Sequence, residues 1–386
     1  MLSAAPVNGN TESTDKFSKA HGSVVLYLDN ESQKVSDHEI VSHREIAKKL
    51  AVLKGYSFAG QYDPNIRYPA ALYFVPATTL VGSETAREIG IFSEREFFGG
   101  VVPYPFVATK AITHPLVHSE AFAPQGWSHT FAYKVKDVTL VGYSAFTLDD
   151  ARRAGVLVLD HGPARVKPAR GVGGRGQKVV STVEEFDAVL TNMDPTEVSN
   201  HGVVIEQNLI RVTTFSIGQV RVSDLVVTYY GKQRLTKDSL ESDVYGGSDL
   251  VVVRGDYEEL LDLAPTADLR LAISQARTYD AAAEGFPGFM ASRRNYDVAQ
   301  GLDKAERLCS GVLEQSWRIG GASSAELAAL EKFRADPKLG VVRTSCVEAY
   351  GDHEVPPNAV IQFRGVDDRI GAITKYTMVE PDADPR

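Results

Sequence analysis

From Gly22 to about Val117, short apolar runs alternate with stretches of helical period. Further along the chain the pattern turns to β. Ser23 to Leu28 (SVVLYL) is a continuous apolar run of strand length. Between Ser42 and Leu53, Ile46, Leu50 and Leu53 recur at helical intervals, which predicts a helix with Ser42 as N-cap and Gly55 as stop. Ala71 to Val75 predicts a second buried strand ended by Pro76, and Ser83 to Ile91 a short helix. Strand–helix–strand at these lengths predicts a small α/β unit with a partly parallel sheet. The Pro- and aromatic-rich stretch from Phe97 to Pro115 reads as a connector.

In the second sector, Thr147 with Asp150 opens a helix to Ala154. Ala164 to Lys167 and Lys178 to Ser181 are short strands around a glycine cluster, and Thr182 with Glu185 caps a helix to about Leu190. Strands follow at Val203 to Gln207, Ile217 to Val222, Leu225 to Tyr230 and Leu250 to Arg254, with Tyr229 to Arg234 read as a turn carrying solvated charges. Asn295 to Gln300 and Gly311 to Arg318 form a hairpin around a polar turn. Ser323, boxed by Glu326, then starts an Ala-rich helix.

A chain of 386 residues suits two or three structural units. With 43% hydrophobic and 24% charged residues it has the make-up of a globular protein rather than a disordered one. Its net charge of −9 argues against attachment to nucleic acid or anionic lipid by bulk charge. No apolar run approaches the ~20 residues of a membrane span. Residues 1–21 lack the apolar centre of a secretory signal and read as a disordered tail. Cys309 and Cys346 are too few for a disulfide framework. The expectation is a soluble, cytoplasmic protein.

The most informative stretch is Lys167-Pro168-Ala169-Arg170-Gly171-Val172-Gly173-Gly174-Arg175-Gly176. Glycines expose backbone N–H groups, so such a loop can fold close over phosphate oxygens, and Lys167 brings a cation to the same anion. A P-loop would continue Gly-Lys-Ser/Thr into a helix, but Gly176 precedes Gln177 and a returning strand. The segment is therefore a glycine-rich hairpin.

These residues, followed by Val203-Val204-Ile205-Glu206-Gln207-Asn208-Leu209, resemble the ATP-grasp superfamily. The resemblance implies an α/β (α+β) fold, with a small N-terminal α/β domain at 22–117 and two α+β subdomains at 118–208 and 209–386 clasping a nucleotide. It implies that Lys167, Gly171, Gly173, Gly174 and Gly176 hold phosphate, and that Glu206, Gln207, Asn208 and Leu209 offer backbone groups to adenine. Lys110 is implied as a second phosphate lysine, with Lys134 and Lys136 as alternatives. Thr213 and Thr214 stand where a ribose-binding acid is usual.

ATP chemistry needs a divalent cation, and carboxylates on adjacent strands suit Mg²⁺, or Mn²⁺ in its place. Asp297 and Glu314 lie on the two strands of the expected hairpin. The superfamily's Glu-x-Asn-x-Arg reads here Glu314-x-Ser316-x-Arg318, which strand alternation puts on one face, with Ser316 as a further ligand. Arg318, beside the start of a capped helix, makes an anion pocket for a carboxylate or acyl phosphate. The implied activity is ATP-dependent joining of a small-molecule carboxylate to an amine through an acyl phosphate, with Arg318 and Lys167 as catalytic residues. A small-molecule kinase and a non-catalytic nucleotide binder stand as alternatives, and a homodimer is left open. Arg343 and Glu348, read as lying after a further strand, could line the same cleft. His114 and His118 are separated by Pro115, which argues against a metal pair.

Overall fold

The computed structural model describes residues 21–29, 35–171, 174–238, 241, 243–351 and 353–380. Gly173, and all of the expected tail except His21, lie outside them. The apolar run near the start forms strand Gly22–Tyr27, the centre of a parallel three-stranded sheet between Ser57–Gln61 and Ala71–Pro76. Helix Asp37–Lys54 makes the crossover and buries Ile46, Ala47, Leu50 and Leu53 in one core with Val24, Leu26, Tyr73 and Val75. It begins earlier than Ser42. Ser36 is the N-cap and forms a reciprocal capping box with Glu39, while Ser42 bonds back to the His38 carbonyl at 2.8 Å. Gly55 ends it in the left-handed conformation (φ 65°), as expected.

The supposed connector is structured. It contains strand Gly100–Val102 and two 3₁₀ turns, Pro105–Ala108 and Lys110–Thr113, the second of which buries Lys110. Next comes a four-stranded antiparallel sheet in the order Gly142–Ala145, Val203–Gln207, Ala164–Pro168, Lys178–Val180. Helices Leu148–Leu159 and Val183–Thr191 cover it, N-capped by Thr147 and Thr182.

The remainder builds an eight-stranded antiparallel sheet. Its order is Leu308–Ser316, Arg293–Leu302, Ile210–Val222, Leu225–Lys237, Asp243–Arg254, Val341–Tyr350, Gly371–Val379, Val360–Asp367. Strand alternation feeds two cores. Val253 packs in the core of helix Ala267–Ala283, and Val252 in that of helices Ser323–Ala335 and Asp37–Lys54. The charged stretch after Tyr230 is no turn; the strand runs on to Lys237. Gly231 permits this, because a Cβ there would come 2.5 Å from the Asp249 carbonyl oxygen of the next strand. Strand Leu308–Ser316 ends before Arg318, so Arg318 falls outside the expected alternation. No helix of the described residues is long and apolar enough to cross a membrane.

Glu326 does not close a capping box with Ser323, since the N-cap is Ala322. It is fully buried, accepting from Arg293 Nη2 at 2.7 Å and from the Tyr229 hydroxyl at 2.6 Å. Arg293 also donates to the Arg318 carbonyl at 2.7 Å, so one guanidinium joins the hairpin to the following helix. Removing one partner of such a pair strands a charge in the core. Arg293→Met is expected to lower unfolding stability by roughly 3–5 kcal/mol in urea titrations, and Arg293→Met with Glu326→Leu to recover most of it.

Candidate active site

Lys167 lies near the end of strand Ala164–Pro168, which pairs with Lys178–Val180, so Gly171, Gly174 and Gly176 lie in a hairpin flap between them. Gly174 (φ 84°) and Gly176 (φ 76°) take left-handed conformations that a side chain would strain. A Cβ on Gly171 would stand 2.9 Å from the Arg175 carbonyl. The flap's tip crosses to the large sheet, where Arg175 Nη2 donates to the Tyr350 hydroxyl at 3.2 Å. At its base Arg165 donates to Asn208 Oδ1 at 2.8 Å and to Gln177 Oε1 at 3.0 Å.

Lys110 brings the flap and the acidic hairpin together. Its buried Nζ donates to the Gly171 carbonyl and lies 2.7 Å from Glu314 Oε2. The alternatives Lys134 and Lys136 are exposed on or just after helix His129–Val135. Across the hairpin, Asp297 pairs in register with Glu314. Burial and then the Glu314 charge push the Asp297 carboxyl up to about 7, against the pull of Gln233 and Ser216. Gln233 belongs to the stretch read as a solvated turn; its Nε2 donates to Ser216 Oγ at 2.9 Å, and that hydroxyl contacts Asp297 at 3.4 Å.

Two opposed carboxylates whose charges resist each other fit a hard divalent cation that completes its shell with water and phosphate. Among the described residues no group of three or more His, Cys, Asp or Glu gathers to hold a metal by protein ligands alone. Ser316 shares the strand with Glu314, but its hydroxyl accepts from Arg293 Nη1 at 3.2 Å. An oxygen already facing a guanidinium is a poor cation ligand, so Asp297 and Glu314 are the pair that fits.

The Glu206 side chain has a use that backbone reasoning missed. It is buried and forms an ion pair with Lys167 through Oε1, while Oε2 lies 3.1 Å from His114 Nε2. Burial alone would raise its pKa; Lys167 and His114 instead hold it at about 2. His114 thus serves a carboxylate rather than a metal, and only its place at the end of a buried turn could have signalled this. Two of the backbone amides expected to face adenine are taken within the protein, Gln207 N–H by the Val141 carbonyl at 2.8 Å and Asn208 N–H by that of Pro163 at 2.9 Å. Leu209 is buried beside them. Arg318 turns back to donate to the Ile319 carbonyl at 2.7 Å.

A family described as "Protein of unknown function (DUF3182)" matches residues 25–377. No curated protein matches the chain. Among solved structures, a biotin carboxylase from Campylobacter jejuni, in complex with β,γ-ATP, is similar at 11% identity. That likeness covers 94% of this chain and 88% of that one, with a TM-score of 0.49. A phosphoribosylamine–glycine ligase from Thermotoga maritima is similar at 14% identity over 92% of each chain, also with a TM-score of 0.49. A D-alanine–D-alanine ligase from Bacillus anthracis, complexed with ATP, is similar at 12% identity over 82% of this chain and 93% of that one, with a TM-score of 0.44.

Because the Glu206 pKa in the folded protein lies below its ordinary 4.5, its stabilising contribution is complete above pH 4.5 and is lost as pH falls toward 2. Glu206→Gln is expected to cost roughly 3 kcal/mol at neutral pH. It should also flatten the acid limb, so that wild type and variant converge in chemical-denaturation stability as the pH approaches 2.

Proposed function

We propose that this chain, which belongs to the DUF3182 family, is an ATP-dependent ligase of the ATP-grasp kind that joins a carboxylate to an amine. One observation supports the reading: a single buried ammonium, Lys110, touches both the glycine flap and the acidic hairpin, so the elements proposed to bind phosphate and cation lie side by side. A flap of backbone donors with Lys110 and Lys167 beneath it is suited to polyphosphate. Asp297 and Glu314 would hold Mg²⁺, or Mn²⁺, which supplies neutralisation of the phosphate charge. Gln207 to Leu209 would flank adenine.

Arg318 would orient the substrate carboxylate for attack on the γ-phosphorus. One carboxylate oxygen forms the new P–O bond as ADP leaves. The amine nitrogen then attacks the acyl carbon, phosphate departs, and the amine loses a proton. Positioning and charge stabilisation supply most of the barrier lowering in such transfers. This reading has small-molecule substrates, no nucleic acid, and a cytoplasmic setting in which ATP is supplied.

The test is ADP release with Mg²⁺ and ATP across a matrix of carboxylates and amines. A ligase needs both for full rate. Dependence on one substrate alone would make the protein a kinase, and no ATP-induced shift in melting temperature would remove the reading altogether. Lys167→Ala and Lys110→Ala are each expected to weaken ATP binding at least tenfold by calorimetry. Glu314→Ala is expected to keep part of the ATP binding while lowering turnover at least a hundredfold.

A further inference from the structure

Gln315, the residue after Glu314 on the acidic hairpin, takes no part in the acidic pair. It is 6% exposed, and its Nε2 donates to two main-chain carbonyls, that of Val107 at 3.0 Å and that of Thr109 at 2.7 Å. Carbonyls only accept, so both amide hydrogens are spent on them and the orientation of the amide is fixed. Its Oε1 accepts from the Tyr279 hydroxyl at 3.2 Å, and that hydroxyl lies 3.1 Å from Thr113 Oγ1. Tyr279, from helix Ala267–Ala283, and Thr113 are both fully buried. With the Tyr279 hydrogen directed at Gln315, Thr113 is the donor of the last bond. The donors therefore run one way, from Thr113 through Tyr279 and Gln315 to the two carbonyls.

These bonds hold both ends of the 3₁₀ turn Lys110–Thr113. The Thr109 carbonyl belongs to the same planar peptide unit as the Lys110 N–H, so its bond to Gln315 sets the plane from which the Lys110 side chain leaves. Thr113 is the turn's last residue, and its hydroxyl ties that end to Tyr279. Thr109 also caps the turn, its Oγ1 accepting from Ala111 N–H at 3.2 Å. The Lys110 ammonium then reaches Glu314 Oε2 at 2.7 Å and the Gly171 carbonyl. Adjacent residues of one strand thus hold one lysine in two ways, Glu314 by charge and Gln315 through the backbone.

The two holds differ in what a bound nucleotide would do to them. In the proposed site Glu314 is a ligand for Mg²⁺ and Lys110 a partner for phosphate, so their direct contact is the one a cation would share. The bonds from Gln315 go to main-chain oxygens that have no part in that exchange. An apolar side chain at this position would leave two buried carbonyls without donors. We infer that Gln315 is a positioning residue for Lys110: it fixes the peptide from which that ammonium is presented to phosphate, with Tyr279 and Thr113 completing the brace. The assignment rests on the ligase reading for its purpose, and adds to it a residue outside the groups assigned to nucleotide and cation.

The experiment measures ATP affinity by calorimetry, in Mg²⁺, for the full chain and for Gln315→Leu, Lys110→Ala and the double variant. Leu50→Ala, which opens a cavity in the core of helix Asp37–Lys54, controls for lost stability. Gln315→Leu is expected to weaken ATP binding at least tenfold, and Leu50→Ala to leave it within about twofold. Because Gln315 acts through Lys110, adding Gln315→Leu to Lys110→Ala should cost less than about a further twofold, whereas a general loosening would multiply the two losses. Hydrogen exchange of the amides from Val107 to Thr113 should quicken at least tenfold in Gln315→Leu and not in Leu50→Ala. Tyr279→Phe keeps the ring and removes one hydroxyl. It is expected to weaken ATP binding about two- to fivefold by the same route, and it carries the test if Gln315→Leu does not fold. Unchanged ATP affinity in the variant that folds, or multiplied losses in its combination with Lys110→Ala, would overturn the assignment and leave the ligase reading standing. A wild-type protein that binds no ATP sinks the ligase reading, and this assignment with it.

Discussion

Charges taken out of water in this protein must meet opposite charges, and the site is arranged around that requirement. Lys110 is the clearest instance. Its ammonium is buried in a short turn and is satisfied by the Gly171 carbonyl on one side and Glu314 on the other. Gly171 lies in the loop beyond the smaller sheet and Glu314 in the large sheet, so neutralising one lysine also ties flap to hairpin. Lys167 repeats the device within the smaller sheet, where Glu206 and His114 complete its surroundings.

The same hairpin serves stability and chemistry at once. Strand Arg293–Leu302 carries Arg293, which anchors helix Ser323–Ala335 through Glu326, and four residues later Asp297, which faces Glu314. The buried anchor holds the neighbouring Ser316 and Arg318 backbone through the Arg293 Nη1 contacts. The acidic pair is thereby presented on a hairpin whose two strands are joined at one end by Arg293.

Much of this was legible in the chain itself. Capped helices at Thr147 and Thr182, the glycine hairpin and the opposition of Asp297 to Glu314 all follow from local chemistry and strand alternation. What escaped depends on partners distant in sequence. Helix Ala267–Ala283 buries four alanines together with the polar Gln275 and Asp280, which give a faint apolar signal beside leucine or isoleucine. The strand through Lys232 and Gln233 looks like a turn because Lys232 and Arg234 are exposed, while Gln233 between them turns to Ser216 beside Asp297. The earlier helix start is an exception, since Ser36-Asp37-His38-Glu39 is a local capping-box pattern that the reading from Ser42 passed over. Glu326 looked like a capping acid, and its pairing with Arg293 could be seen only once the sheet brought them together.

Arg165 has a wider consequence. Its guanidinium donates to the Asn208 side-chain oxygen with one edge and to that of Gln177 with another, so the segment after strand Val203–Gln207 and the root of the flap are tied to one side chain. If the proposed ATP site is right, a base that seats badly against Asn208 would disturb the flap through Arg165. Discrimination among nucleotides would then be felt as lost grip on phosphate, far from the ring atoms that distinguish one base from another.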